Sequence, residues 1–293
     1  MEKENERNGL HCVAEISVLP EGCISDIVSL TTPKDACTAC AVSPIFRAAA
    51  ESNAVWERFL PSDYQAIIAR SSSSLDSLNF SSKKHLYLSL SDNPILIDDS
   101  KKSFFLDKLS GKKCYLLAAR DLSIVWGSTP EYWSWVSLPE SRFPEVAKLL
   151  DVCWFEICGK MSTSMLSPTT NYAAYLVFKL RSRAYGFDDP PFKASVGTIG
   201  GGEVYEQSVC LDLGEPSLDG QILSLDGQIL LPEQLHISCP KRRKDGWLEI
   251  ELGEFFNEGG QDDELQIRLT EIEVGRWKSG LIVEGIEIRP TMG

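Results

Sequence analysis

WLEIEL, residues Trp247–Leu252, alternates without a break. Leu248, Ile250 and Leu252 fall on one side of an extended chain, and Trp247, Glu249 and Glu251 on the other, because successive side chains of a strand point to opposite faces. The period recurs in LQIRLTEIEV (265–274), through Leu265, Ile267 and Leu269, and in LIVEGIEIRP (281–290). Cys114–Ala119, Ser123–Trp126, Val152–Cys158, Tyr172–Leu180 and Val204–Leu211 read as further strands. No long helical pattern alternates with them, so residues 112–291 are expected to form an antiparallel β-sandwich rather than a parallel sheet. Pro144–Leu150 reads as one or two helical turns at its edge. Alternating glutamates such as Glu249 and Glu251 read as the wet face of a strand, not as a glycosidase acid pair.

Upstream the period changes. Ile24, Ile27, Val28 and Leu30 recur at helical spacing, Pro33 marks a new helix start, and two further short helices end near Trp56 and Leu60, with Asn53 as a cap. Residues 17–62 are thus a small three-helix unit, which makes the chain a two-domain α+β protein. A core this small leaves apolar surface for a partner. Leu19, Pro20, Ile24 and Ile27 form a face too large to leave wet, at about 1.5–3 kcal/mol per buried side chain. Residues 1–16 are polar and expected to be disordered. Residues 63–111 are a linker and connecting segment. It is Ser-rich over 70–82, and its apolar patches His85–Leu90 and Phe104–Leu109 have no assigned structure. SLDGQIL occurs twice in succession at 217–230 and reads as a small duplication in a surface loop.

The chain has 293 residues and a formal net charge of −13, which argues against a nucleic-acid partner. Lys241-Arg242-Arg243-Lys244 is read as a solvated basic run. No run of eighteen apolar residues predicts a membrane span, and the N-terminus lacks the pattern of a secretory signal. Nine scattered cysteines fit a reducing compartment, cytoplasm and/or nucleus. Three histidines, at 11, 85 and 236, compose no catalytic triad. Cys37 and Cys40 are explained by helical spacing better than by zinc, and Gly200–Gly202 lacks the residues of a phosphate loop. Neither a metal nor a cofactor is implied, and the chain reads as a non-enzyme.

Two resemblances sharpen this. Leu19-Pro20-Glu21, Thr32-Pro33-Lys34-Asp35, Val42-Ser43, Phe46-Arg47-Ala48-Ala49 and Ser52–Glu57 resemble an F-box, in order and spacing. The resemblance implies binding to the Skp-family adaptor of a cullin–RING ubiquitin ligase through Leu19, Pro20, Ile24, Ile27, Leu30, Pro33, Val42 and Phe46. Pro44 departs from the pattern and is expected to shorten the helix containing Val42 and Phe46. Downstream, Ala119–Trp126, Pro130–Trp135, Cys153–Ile157, Tyr172–Leu180, Asp245–Phe256 and Trp277–Gly285 resemble the plant phloem lectins, or Nictaba-like lectins. That family's fold is a lectin-type jelly roll, and its ligands are N-acetylglucosamine oligomers and the core of N-glycans.

WGSTPEYWSW, Trp126–Trp135, holds three tryptophans around a turn. Flat indoles suit the C–H face of a sugar ring. By pattern alone any of them fits a core equally well. Trp126 and Trp133 flank the turn, and the resemblance makes them sugar contacts, with Trp135 left for packing. It also points to Glu264 and Glu271. Trp154 and Trp247 lie inside expected strands and are read as core. The chain is therefore expected to be a substrate-receptor subunit that brings N-acetylglucosamine-bearing glycoproteins to a ubiquitin ligase. The rival readings are a lectin without a ligase role and an F-box receptor whose β-domain recognises protein.

Overall fold

A computed structural model describes residues 19–71, 80–188, 190–199, 204–213, 237–260 and 262–291. The expectations for residues 1–16, the triple glycine, His236 and the SLDGQIL duplication lie outside the described residues. The chain divides into two compact units: 1–60 with 80–87 and 108–111, and 61–79 with 88–107 and 112–293.

The helices are α1 (Glu21–Ser29), α2 (Pro33–Ala39), α3 (Pro44–Glu51), α4 (Asn53–Phe59), α5 (Tyr64–Ala69) and α6 (Lys83–Asp92). In the first unit their boundaries follow from capping chemistry. Thr32 and Asp35 form a reciprocal capping box around Pro33, the first residue of α2. Ser43 accepts from the Phe46 amide, and Pro44 opens α3 where its missing N–H costs nothing. Pro44 thus starts a helix instead of shortening one, and Val42 stays outside it. Ser52 ends α3 and caps α4 through the Ala54 amide, so four helices precede Leu60 where three were expected. Asn53, expected as the cap, is the first residue of α4, and its Oδ1 accepts from the Lys83 amide at 2.8 Å. Ile24, Val28, Ala36, Ala49, Ala50, Val55 and Trp56 are buried. Trp56 lies edge-on to Phe59 and against Tyr87, and its Nε1 donates to the Ala50 carbonyl at 2.7 Å.

The strands are β1 (Ile95–Ile97), β2 (Lys102–Leu106), β3 (Lys113–Ala118), β4 (Ser123–Ile124), β5 (Trp133–Val136), β6 (Val146–Leu149) and β7 (Phe155–Ser162). They continue as β8 (Thr170–Tyr185), β9 (Phe192–Ile199), β10 (Tyr205–Val209), β11 (Lys241–Arg242), β12 (Leu248–Asn257), β13 (Glu264–Glu271) and β14 (Ser279–Pro290). The larger sheet runs β1-β2-β3-β14-β8-β12-β11, with β6 on the first half of β14 and β5 on β6. The smaller runs β10-β9-β13-β7-β4. Every ladder pair is antiparallel. Pro144–Leu150 is therefore mostly strand, not helix, because pairing with β14 and β5 overrides its local helical preference.

The sheets meet face to face. A Cβ on Gly159 of β7 would touch Ile286, Leu122 and Leu117 side chains at 3.1–3.4 Å, and one on Gly253 of β12 would meet Tyr205 and Val196. Ile157, Leu265, Ile267 and Val196 on one sheet, and Leu117, Leu176, Phe178 and Ile286 on the other, are buried. Between Val283 and Gly285 the β14 register shifts, and a Cβ on Gly285 would lie 1.9 Å from the Leu117 carbonyl oxygen, so only glycine fits there.

The outer face of the larger sheet is also covered. Leu116, Ala118, Phe143, Val146, Val177 and Trp247 form a second buried cluster. Beside it, Glu287 is held by Arg243 at 3.1 Å through both oxygens and by Arg289 at 2.6 Å, while Glu249 bonds Arg289 and Arg243 at 2.8–2.9 Å. Two readings change here. Glu249 is part of an ion network rather than a wet face, and Arg243 of the basic run is a structural cation. Burial opposes the Glu249 charge, but the hydrogen bonds and charge of Arg289 outweigh it and hold its pKa below the ordinary value.

Candidate functional site

The candidate site lies at one end of the facing sheets, where β7 begins, β13 ends and β14 begins. Trp126 follows β4 and closes a turn: Gly127 N donates to the Ile124 carbonyl at 2.9 Å and Thr129 N to the Trp126 carbonyl at 2.8 Å. Its φ is +60°, a left-handed conformation that costs a bulky residue of order 1 kcal/mol or more. Its side chain is 54% exposed, beside Tyr132 at 6.0 Å between ring centroids. A tryptophan kept in a strained turn and left in solvent is a candidate contact residue, not a core filler.

Register brings other segments to the same end. Val125 N donates to the Glu156 carbonyl at 3.0 Å, which places Trp126 beside the start of β7. Trp154, just before that strand, is 48% exposed. The expectation that it is core is corrected. Phe155 and Ile157 point inward, so Trp154 takes the opposite side. Val152 and Lys278 exchange backbone hydrogen bonds at 2.8 and 3.0 Å, which ties this segment to the loop between β13 and β14. That loop exposes Ile272, Val274 and Trp277, the last at 49%. Sequence reasoning assigned Trp277 no role and misplaced Trp154. The inward alternation of Phe155 and Ile157 was the signal available for Trp154.

Of the four residues expected to contact sugar, only Trp126 stands free. Trp133, in β5, is 3% exposed and packs near Phe155, with its Nε1 buried and unpartnered among the described residues. A ring closed in this way offers no stacking face, so that expectation is corrected. Glu271 is also buried. It is ion-paired with the fully buried Lys278 and accepts from the Val274 amide at 3.2 Å. It organises the loop instead of facing solvent. Glu264 is exposed and paired with Lys160 at 2.6 Å, but it begins β13, whereas Glu271 ends it. Seven residues of strand separate them, about 23 Å. Glu264 is therefore remote from Trp126. Trp135 fills a packing role: its Nε1 donates to the Gly127 carbonyl at 3.0 Å, and the Arg120 guanidinium lies 3.6 Å over its ring.

In the helical unit, Leu19, Pro20, Ile27, Leu30 and Val42 are exposed, Leu30 and Val42 at 72% and 70%. Pro20, Ile27 and Leu30 recur at seven and three residues, so they share one side of α1. Ile24 and Pro33 are buried within the chain and Phe46 is half-buried, so the first two belong to the core rather than to a contact surface. Cys40 donates back to the Ala36 carbonyl, as helical spacing suggests. Among the described residues no group of three or more His, Cys, Asp and Glu side chains could hold a metal ion, and no helix is long and apolar enough to cross a membrane.

Comparison with known proteins bears on both units. The family profile "Phloem protein 2" matches residues 112–290. The chain is 47% identical over 273 residues to F-box protein PP2-B10 of Arabidopsis thaliana, covering 92% of each chain. It is 41% identical over 319 residues to F-box protein PP2-B1 of the same plant, covering 98% of this chain and 93% of that one. F-box protein PP2-B15 is 44% identical over 282 residues, covering 93% and 96%. A solved Podospora anserina GH26-CBM35 β-(1,4)-mannanase aligns at 9% identity and a TM-score of 0.31, over 61% of this chain and 28% of that one, too slight a likeness to carry weight.

Proposed function

The chain belongs to the phloem protein 2 family, among relatives that are F-box proteins, and on that premise we propose that it is a substrate receptor of a Skp–cullin–F-box ubiquitin ligase. The helical unit docks on the Skp-family adaptor through Leu19, Pro20, Ile27, Leu30 and Val42. The β unit, read as a lectin-type jelly roll, captures glycoproteins bearing N-acetylglucosamine in the cytoplasm and/or nucleus. The receptor performs no chemistry. It raises the effective concentration of target beside the ubiquitin-charged enzyme, which makes transfer in effect intramolecular. The observation that carries the sugar half is Trp126, half-exposed at a strained φ of +60°.

Two assays test the halves separately. Co-purification with a Skp-family adaptor is expected for the wild type. Titration of the full chain with an N-acetylglucosamine trimer is expected to saturate, and Trp126→Ala is expected to abolish it. Adaptor binding without any glycan response would move the search to protein targets. That second reading, a β unit that recognises protein, draws on the dispersal of Trp126, Trp133, Glu264 and Glu271.

A further inference from the structure

Trp154 and Trp277 lie outside the buried core, and both sit at the end of the sheets that carries Trp126. Three of the seven tryptophans are thus about half exposed at one rim. Indole is seldom left this open without a partner, and exposed apolar residues gathered at one end of a fold mark a candidate contact site. The rim is also rigidly built. Lys278, fully buried, is paired with Glu271 and donates through Nζ to the Arg276 carbonyl at 2.7 Å, while its backbone is stitched to Val152. Burying a lysine and a glutamate to fix a short loop is costly, and what that loop presents is Ile272, Val274 and Trp277. Polar groups border the aromatics: the Tyr185 hydroxyl donates to Asp151 at 3.0 Å, and Glu273 pairs with Lys193.

We propose that Trp154 and Trp277 are ligand-contacting residues which, with Trp126, form an aromatic platform for a carbohydrate chain longer than one ring. The proposal rests on the sugar-binding reading above, whose oligomeric ligands the family resemblance already implies, and adds two contact residues to it. Separate indoles bordered by carboxylates and hydroxyls suit successive pyranose rings, which offer C–H faces with hydroxyls at their edges. The Glu271–Lys278 pair acts on the platform from behind, as positioning residues that hold the Trp277 loop in place.

The test is isothermal titration calorimetry of the full chain with N-acetylglucosamine, its dimer and its trimer. The wild type is expected to bind more tightly as the oligomer lengthens. Trp126→Ala loses all three. Trp154→Ala and Trp277→Ala each weaken the trimer about five- to tenfold, the size of one aromatic contact, and flatten the dependence on length. Both are surface substitutions, and unchanged thermal unfolding confirms that they fold. If both variants bind the trimer as the wild type does while Trp126→Ala does not, the platform is refuted and the sugar reading stands. If the wild type binds no oligomer, both fall together.

Discussion

Lys278→Met is the most informative single change for the β unit. It leaves the Glu271 carboxylate at a position 5% exposed with its counter-charge gone and, among the described residues, the Val274 amide as its one remaining hydrogen-bond donor. Removing one partner of a buried pair costs about 3–5 kcal/mol, because the remaining charge is neither hydrated nor compensated. The Arg276 carbonyl loses the hydrogen bond from the Lys278 ammonium as well. The backbone exchange with Val152 is untouched, so the β-bridge itself survives. The expected result is a large fall in the urea midpoint of the β unit, followed by far-ultraviolet circular dichroism with an unchanged slope. Glu271→Met alone should cost nearly as much. Combining the two removes both charges and should recover most of the loss, since apolar replacements of a whole buried pair are often neutral. A single-mutant cost below about 1 kcal/mol, or a double mutant as unstable as the sum of the singles, would refute the view that this pair is a closed unit.

Further outcomes are specific. Gly285→Ala should cost about 3 kcal/mol by thermal unfolding, because its Cβ would meet the Leu117 carbonyl, whereas Gly22→Ala, with open space around it in α1, should gain up to about 1 kcal/mol. Burial pushes the Glu284 carboxyl above its ordinary pKa despite the Arg142 amide and charge. Its stabilising contribution is then full below the unfolded value, about 4.3, and is lost as pH rises through the folded one. Glu284→Gln, which keeps the acceptor for Arg142 N and Ser141 Oγ, should therefore gain on the wild type in melting temperature between pH 4 and 7. Leu30→Glu should abolish adaptor capture in a pull-down without changing thermal unfolding, given its exposure, while Ile24→Glu should unfold the helical unit.

The strands of the β unit were legible because period two survives burial. Leu248, Ile250 and Leu252 are all inside, as the alternation requires. The β1–β2 hairpin was not, because Ile95–Ile97 is too short to show a period, and its Asp98-Asp99-Ser100 turn takes positive φ at all three residues without a glycine to announce it. The site was legible only in part. Parity says which residues share a face but not which face is inward, and one residue of offset exchanges the two. That exchange turned Trp133 in and Trp154 out. The separation of Glu264 from Glu271 could have been read directly. Seven residues on one strand put two side chains on opposite faces and far apart, whatever the fold around them.

The partition of the indoles also makes the protein its own optical probe. Trp126, Trp154 and Trp277 are open to solvent, whereas Trp56, Trp133 and Trp247 are sealed, and Trp135 lies beneath the Arg120 guanidinium. An ionic quencher such as iodide therefore reaches the rim emitters and leaves the enclosed ones bright. Anything that settles on the rim should appear as protection from quenching, with no label attached. Unfolding should appear as the enclosed population turning quenchable, so occupancy and integrity separate within one cuvette.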